Sequence, residues 1–293
     1  MIKNEYFRLL KSKSTIIILI LLIGLSLISF FMSLSEKNVF LDQFQNSFSE
    51  DLNRTALKNL LESYTGIRFL FNYWFESDFS QIAIMIIYAW AGVFLSHELF
   101  SKKENGYGNM IVCRITYKEY FFNIISAQSI YIFTIVITST LLQTLIAMIM
   151  GGFTFNGVSI GGYQLELKET FLIFVLQIII ISLHTITINI IASSCSCFIK
   201  NKYLIQSVPL FFAIVPTIIS STLGNISTFI SSFIFYFEVH SVTNMISNIF
   251  NASFNSTEII FSMLPLITFS LLSVVLILIN IKQTKRDYIW IEF

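Results

Sequence analysis

Charge is what this chain has least of. Charged residues are 12% of its 293, about half the share in soluble domains, so a water-facing globular surface cannot be assembled from it. Cysteine is equally thin, at three residues. Cys113 lies in a charged segment, and Cys195 and Cys197 close an apolar run. That placement excludes an extracellular disulfide framework, and Cys195-x-Cys197 lacks the second ligand pair of a zinc site. The sequence also has no HExxH (His97-Glu98 goes no further), no G-x-S-x-G and no Walker loop. Any work done with ATP must therefore draw on another subunit.

What the chain has is hydrophobicity. Apolar residues reach 55% and the mean hydropathy is +0.76, which defines a polytopic membrane protein. A bilayer core about 30 Å thick needs roughly 20 apolar residues in a helix. Six runs meet that length: about 15–34, 79–96, 120–150, 170–199, 203–223 and 259–281. In the first, 15 of 20 residues are Ile, Leu, Phe or Met. It is too long for a cleaved signal peptide and is expected to stay. The predicted fold is a single all-α transmembrane domain over 1–293.

Basic residues orient it. With both termini in the cytoplasm, the inner segments carry 13 Lys and Arg and the outer loops 5, while acidic residues divide 6 to 11. The opposite topology breaks the positive-inside rule. The expected location is the cell membrane, with both ends cytoplasmic.

Residues 2–13 place Ile2, Tyr6, Leu9 and Leu10 on one helical face and Lys3, Arg8 and Lys11 elsewhere, predicting a helix on the inner leaflet. The acidic outer loop 35–78 repeats apolar residues at three and four, from Phe40, Phe44 and Phe48 to Leu57, Leu60 and Leu61. It is expected to form amphipathic helices packed on the outer face. The Gly-rich stretch 151–163 reads as an outer turn. Pro209, Pro216 and Pro265 fall inside apolar runs, predicting bent or broken helices. Gly224 to Glu258 holds no Lys or Arg yet stays rich in Phe and Ile. It fits a re-entrant or outer-leaflet helical pair with Glu238 and His240 at its tip.

Polar residues inside the spans are the candidates for function. Gln128, Tyr131, Thr138 and Gln143 mark the third run; Gln177, His184, Thr185 and Asn189 mark the fourth. Gln177 and His184, seven apart, share a face. Polar groups in hydrocarbon must find partners, so these faces either bond helix to helix or line a translocation path.

The remaining signal is His97 to Glu119, HELFSKKENGYGNMIVCRITYKE, a charged segment wedged between two apolar runs. It contains Glu104-Asn105-Gly106-Tyr107, then Cys113-Arg114, then Tyr117-Lys118-Glu119-Tyr120. With the basic N-terminal helix and the six runs, this layout resembles the permease subunit of the type-two ABC exporters. The resemblance spans the whole chain in layout and about 20 residues in motif. It implies a cytoplasmic coupling loop over 97–119, in which Glu98, Glu104, Arg114 and Lys118 meet a separate ATPase by charge and Gly106 allows the turn. It further implies a non-catalytic protein without bound cofactor or metal, partnered by an ABC ATPase dimer, a second permease and the bilayer, with no nucleic acid. The apolar, Phe-rich walls suit an amphipathic or hydrophobic substrate, foremost an antimicrobial or toxin-like peptide. An ion-coupled secondary transporter and a membrane sensor or scaffold stand as alternatives. The first would need titratable groups at mid-membrane, where His184 stands alone.

Overall fold

A computed structural model describes residues 1–47, 65–96, 98–104, 115–152, 158–160, 163–223, 237–238 and 256–289. The expected all-α membrane fold is what it shows. Helix α1 spans Ile2–Leu10 and α2 spans Lys13–Ser47. Helix α3 (Gly66–Phe71) passes into a π-helical turn, Asn72–Glu76, and α4 (Phe79–Ala91) into another, Gly92–Ser96. The short α5 covers Glu98–Glu104 and the long α6 Tyr117–Gly151. Next come a two-stranded antiparallel hairpin, β1 (Val158–Ile160) and β2 (Tyr163–Leu165), and α7 (Leu167–Ser194). Helices α8 (Lys202–Leu223) and α9 (Ser256–Ile289) complete the described chain.

Six of these stretches are long and apolar enough to cross a membrane: Lys13–Val39, Phe79–Lys102, Tyr117–Gly151, Lys168–Cys197, Lys202–Thr222 and Met263–Gln283. They match the six apolar runs, with ends displaced by a few residues. Their surfaces carry Ile16, Ile20, Phe31, Ile149, Phe171 and Leu278, each more than 60% exposed. In water this would be untenable; against lipid tails it is the expected outer surface.

Local chemistry accounts for the ends. Thr116 caps α6 by accepting the amide proton of Glu119. Glu166 and Glu169 form a reciprocal capping box at the start of α7, satisfying donors that a helix start leaves open. The helices α8 and α9 continue through Pro209, Pro216 and Pro265 without interruption.

Three expectations about loops need revision or lie elsewhere. The Gly-rich outer turn contains the β1–β2 hairpin. The first-span helix continues to Ser47, so Phe40 and Phe44 belong to it, while Phe48 and Leu57 to Leu61 lie outside the described residues. The end of the same loop does not rest on the membrane surface. It is driven into the bundle: Phe69, Leu70, Phe71, Tyr73 and Trp74 are all buried. Close approach makes this possible, since a Cβ on Gly66 would collide with backbone atoms of Ala147 and Met148, and one on Gly151 with the backbone of Gly66. The segment expected to be re-entrant, from Gly224 to Glu258, falls outside the described residues apart from Phe237, Glu238 and the first residues of α9.

Candidate functional site

The most elaborate polar assembly lies where α1, α5, α6 and α7 meet. Helix α1 is docked through one face: Leu9 is buried, Tyr6 shares a 3.1 Å hydrogen bond with Thr134 of α6, and Glu5 points inward. Helix α5 begins at Glu98, within the last turns of the second spanning stretch, and Glu98 is 8% exposed. Burying that carboxylate alone would be costly, and the neighbours show how it is accommodated.

Among the described residues, four charged side chains from two segments about 90 residues apart form a cluster of two carboxylates and two cations. Arg8 donates from Nε to Glu5 Oε2 at 2.8 Å, and through its Nη2 it also pairs with Glu98. Lys102, one turn beyond Glu98 on α5, places Nζ 2.9 Å from Glu5 Oε1 and 2.8 Å from Glu98 Oε1. Each carboxylate thus meets both cations. Charge-assisted bonds of this kind are stronger than neutral ones.

Burial works to raise the Glu5 pKa, but hydrogen bonds and attraction from Lys102 and then Arg8 outweigh it and hold the carboxyl below its ordinary value. A depressed carboxylate contributes stability above its unfolded-state pKa, and the contribution is lost as pH falls through the lower folded-state value. Acidification should therefore release α1 before the spans unfold. Replacing Glu5 by Gln should flatten the acid limb of a stability-against-pH curve measured in detergent.

The cluster continues into the membrane-spanning region. Gln128 of α6, fully buried, donates from Nε2 to Glu98 Oε2 at 3.1 Å and to the Leu95 carbonyl at 3.0 Å. Its Oε1 accepts from Asn189 Nδ2 of α7 at 3.0 Å. Beside this chain, Asn280 of α9 accepts from the Tyr117 hydroxyl and donates to the Ser194 carbonyl, both at 2.8 Å. A polar path thus runs from the end of the bundle that carries α1, through Glu98 and Gln128, to α7.

The other sequence candidates are dispersed. Tyr131 is hydrogen-bonded to Thr15 of α2 at 2.6 Å, Gln143 donates to the Leu22 carbonyl at 3.2 Å, and His184 lies 2.9 Å from the Tyr88 hydroxyl. Thr138 is half-buried on α6 and Thr185 bonds the backbone of its own helix. Gln177 is different: it is 2% exposed, and neither amide atom has a partner among the described residues. Lys118 stands exposed in the first turn of α6. Of the remaining loop residues, the backbone of Glu104 ends α5, whereas His97, Gly106 and Arg114 lie outside the described residues. Among the described residues no group of three or more His, Cys, Asp and Glu side chains is placed to hold a metal ion.

Sequence reasoning does not pair two members of this assembly with the loop. Nothing in the spacing of Glu5 or Asn189 ties either to Glu98. The available signal is that Glu98 follows an apolar run so closely that its burial demands cations nearby.

The fold and these contacts define a multi-pass helical membrane protein. No family model matches the chain, and neither a curated protein nor a solved structure resembles it significantly.

Proposed function

We propose that the chain is the membrane subunit of an ATP-driven ABC exporter, oriented with both termini in the cytoplasm and pairing with a second permease and two ATPase subunits. The observation that carries this reading is the position of α5. A short helix at the end of a span, held rigidly to α1 by ion pairs and to α6 and α7 by Glu98, Gln128 and Asn189, is built to convert a push from outside the bundle into movement of the spans. Flexible loop charges would dissipate it. Nucleotide-driven closure of a partner then selects between two arrangements of the helices.

In this reading Glu98 is a positioning residue within the coupling element, while Glu104, Gly106, Arg114 and Lys118 meet the ATPase. Most polar positions of α6 and α7 bond helix to helix, which leaves the unpartnered amide of Gln177, once the helices part, as the first candidate to touch substrate. An amphipathic peptide suits an amide on a helix rich in Ile and Phe, and its efflux is the activity we assign.

The test is gentle-detergent capture of the tagged chain from its native membrane, with co-purifying subunits identified by mass spectrometry. The expected result is a Walker-motif ATPase at near-stoichiometric yield. Recovery of the chain alone, from membranes that show a proton- or sodium-dependent flux, would replace the exporter by a secondary transporter.

A further inference from the structure

Helix α1 has a second face that the cluster does not use. Around the helix axis, Ile2, Glu5, Tyr6 and Leu9 occupy the docked arc. Lys3, Phe7 and Lys11, at intervals of four, form a stripe on the opposite side. All three are exposed, Phe7 by 46%. Neither Lys3, Lys11 nor the adjoining exposed Lys13 has a carboxylate partner among the described residues. The acidic residue of α1, Glu5, is occupied by Lys102 and Arg8 on the docked side, so nothing on α1 offsets the charge of the stripe.

The position of the stripe identifies what meets it. Only Lys11 and Ser12 separate α1 from Lys13, where the first spanning helix starts. The next exposed side chains, Ile16, Ile17 and Ile20, belong to the lipid-facing surface of that helix. The stripe thus adjoins, along the chain, the start of a bilayer-facing helix, the zone where headgroups lie. An exposed Phe flanked by two Lys suits that boundary, with the ring at the edge of the acyl chains and the ammonium groups at phosphate level.

We propose that the Lys3–Phe7–Lys11 stripe, together with Lys13, is a binding surface for anionic phospholipid headgroups. It rests on the membrane fold and not on the exporter reading. Because the opposite face of α1 is ion-paired to Glu98 and Lys102, occupancy of the stripe bears on how firmly α5 is held. The lipid composition of one leaflet thereby becomes an input to the ion-paired cluster of α1 and α5.

The test uses the full chain carrying Phe7→Trp, in nanodiscs of phosphatidylcholine doped with either brominated phosphatidylglycerol or brominated phosphatidylcholine at equal mole fraction. Fluorescence of the unmodified chain, with its three tryptophans, is subtracted. Each lysine near an anionic surface should favour the acidic lipid by a factor on the order of five. Brominated phosphatidylglycerol should therefore quench the introduced indole several-fold more efficiently than brominated phosphatidylcholine. The preference should vanish in Lys3→Gln/Lys11→Gln and shrink steeply toward 1 M salt, where the Debye length is about 3 Å. Equal quenching by both lipids would overturn the proposal in favour of a nonselective interfacial helix. No quenching by either would overturn it in favour of a stripe held away from the bilayer, by a second copy of the chain or by facing water. Should Phe7→Trp lower the melting temperature, native mass spectrometry of retained phosphatidylglycerol on the unmodified and Lys3→Gln/Lys11→Gln chains decides the same question: equal retention overturns it.

Discussion

Replacing Glu98 by Ala should lower stability by about 3 kcal/mol, because removal of one member of a buried ion pair leaves its partners uncompensated. The lower end of the usual range applies, since the Arg8 side chain is half exposed and water recovers part of its charge. Lys102, at 15% side-chain exposure, and the fully buried amide of Gln128 have no such relief. Glu98→Gln should cost roughly half as much, because an amide oxygen still accepts from Gln128 while the charge is gone. Thermal unfolding of the purified chain in detergent, read by tryptophan fluorescence, measures both. A loss below about 1 kcal/mol for Glu98→Ala, the scale of an exposed ion pair, would mean the cluster is loosely held and unable to transmit force. On the exporter reading the alanine variant should also uncouple ATP hydrolysis from transport even at temperatures where it stays folded.

The second large effect is expected at Gly66. An added methyl there meets main-chain atoms of Ala147 and Met148, which cannot rotate aside as a side chain would. Overpacking of this kind costs about 1–3 kcal/mol, and here it levers a whole segment. Pushing α3 away from α6 withdraws Phe69, Phe71, Tyr73 and Trp74 from the core, where Phe30 and Phe174 pack against them. Gly66→Ala should therefore sit at or above the top of that range in the same unfolding assay. Gly24→Ala is the control: a Cβ at Gly24 meets nothing within 4 Å, and its stability should be unchanged or slightly raised.

These two sites mark where the sequence is legible and where it is not. Spanning helices announce themselves because hydrocarbon imposes a length and a composition, so the runs at 15–34 and 120–150 map onto α2 and α6, although α2 continues well past its run, to Ser47. The Thr65–Glu76 wedge gives no such signal. Its apolar residues are interrupted by Arg68 and Asn72 and are too few to cross a bilayer, so they read as a surface helix. What buries them is the backbone approach between Gly66 and Gly151, a coincidence of two distant glycines that no local pattern encodes. Glu98 and Gln128 are each visible as polar residues beside or within apolar runs. Their bond is not, because side chains thirty residues apart meet only once the turn between two helices is fixed. Gln177 and His184, read together from a seven-residue spacing, do share a helix, yet only His184 has found a partner, Tyr88.

The Glu98 pairing also orders events in time. Arg8 emerges from the ribosome 90 residues ahead of the carboxylate it will bind, and Gln128 emerges 61 residues ahead of Asn189. During synthesis α1 must wait on the membrane surface, its cation without the Glu98 counter-charge, until the second span has been inserted and the third and fourth have closed over it. Until Asn189 is made, the Oε1 of Gln128 lacks the donor it has in the finished protein, although Nε2 already has Leu95 and Glu98 to bond. The network that links Glu98 to α7 is therefore complete only after the fourth spanning helix is in place.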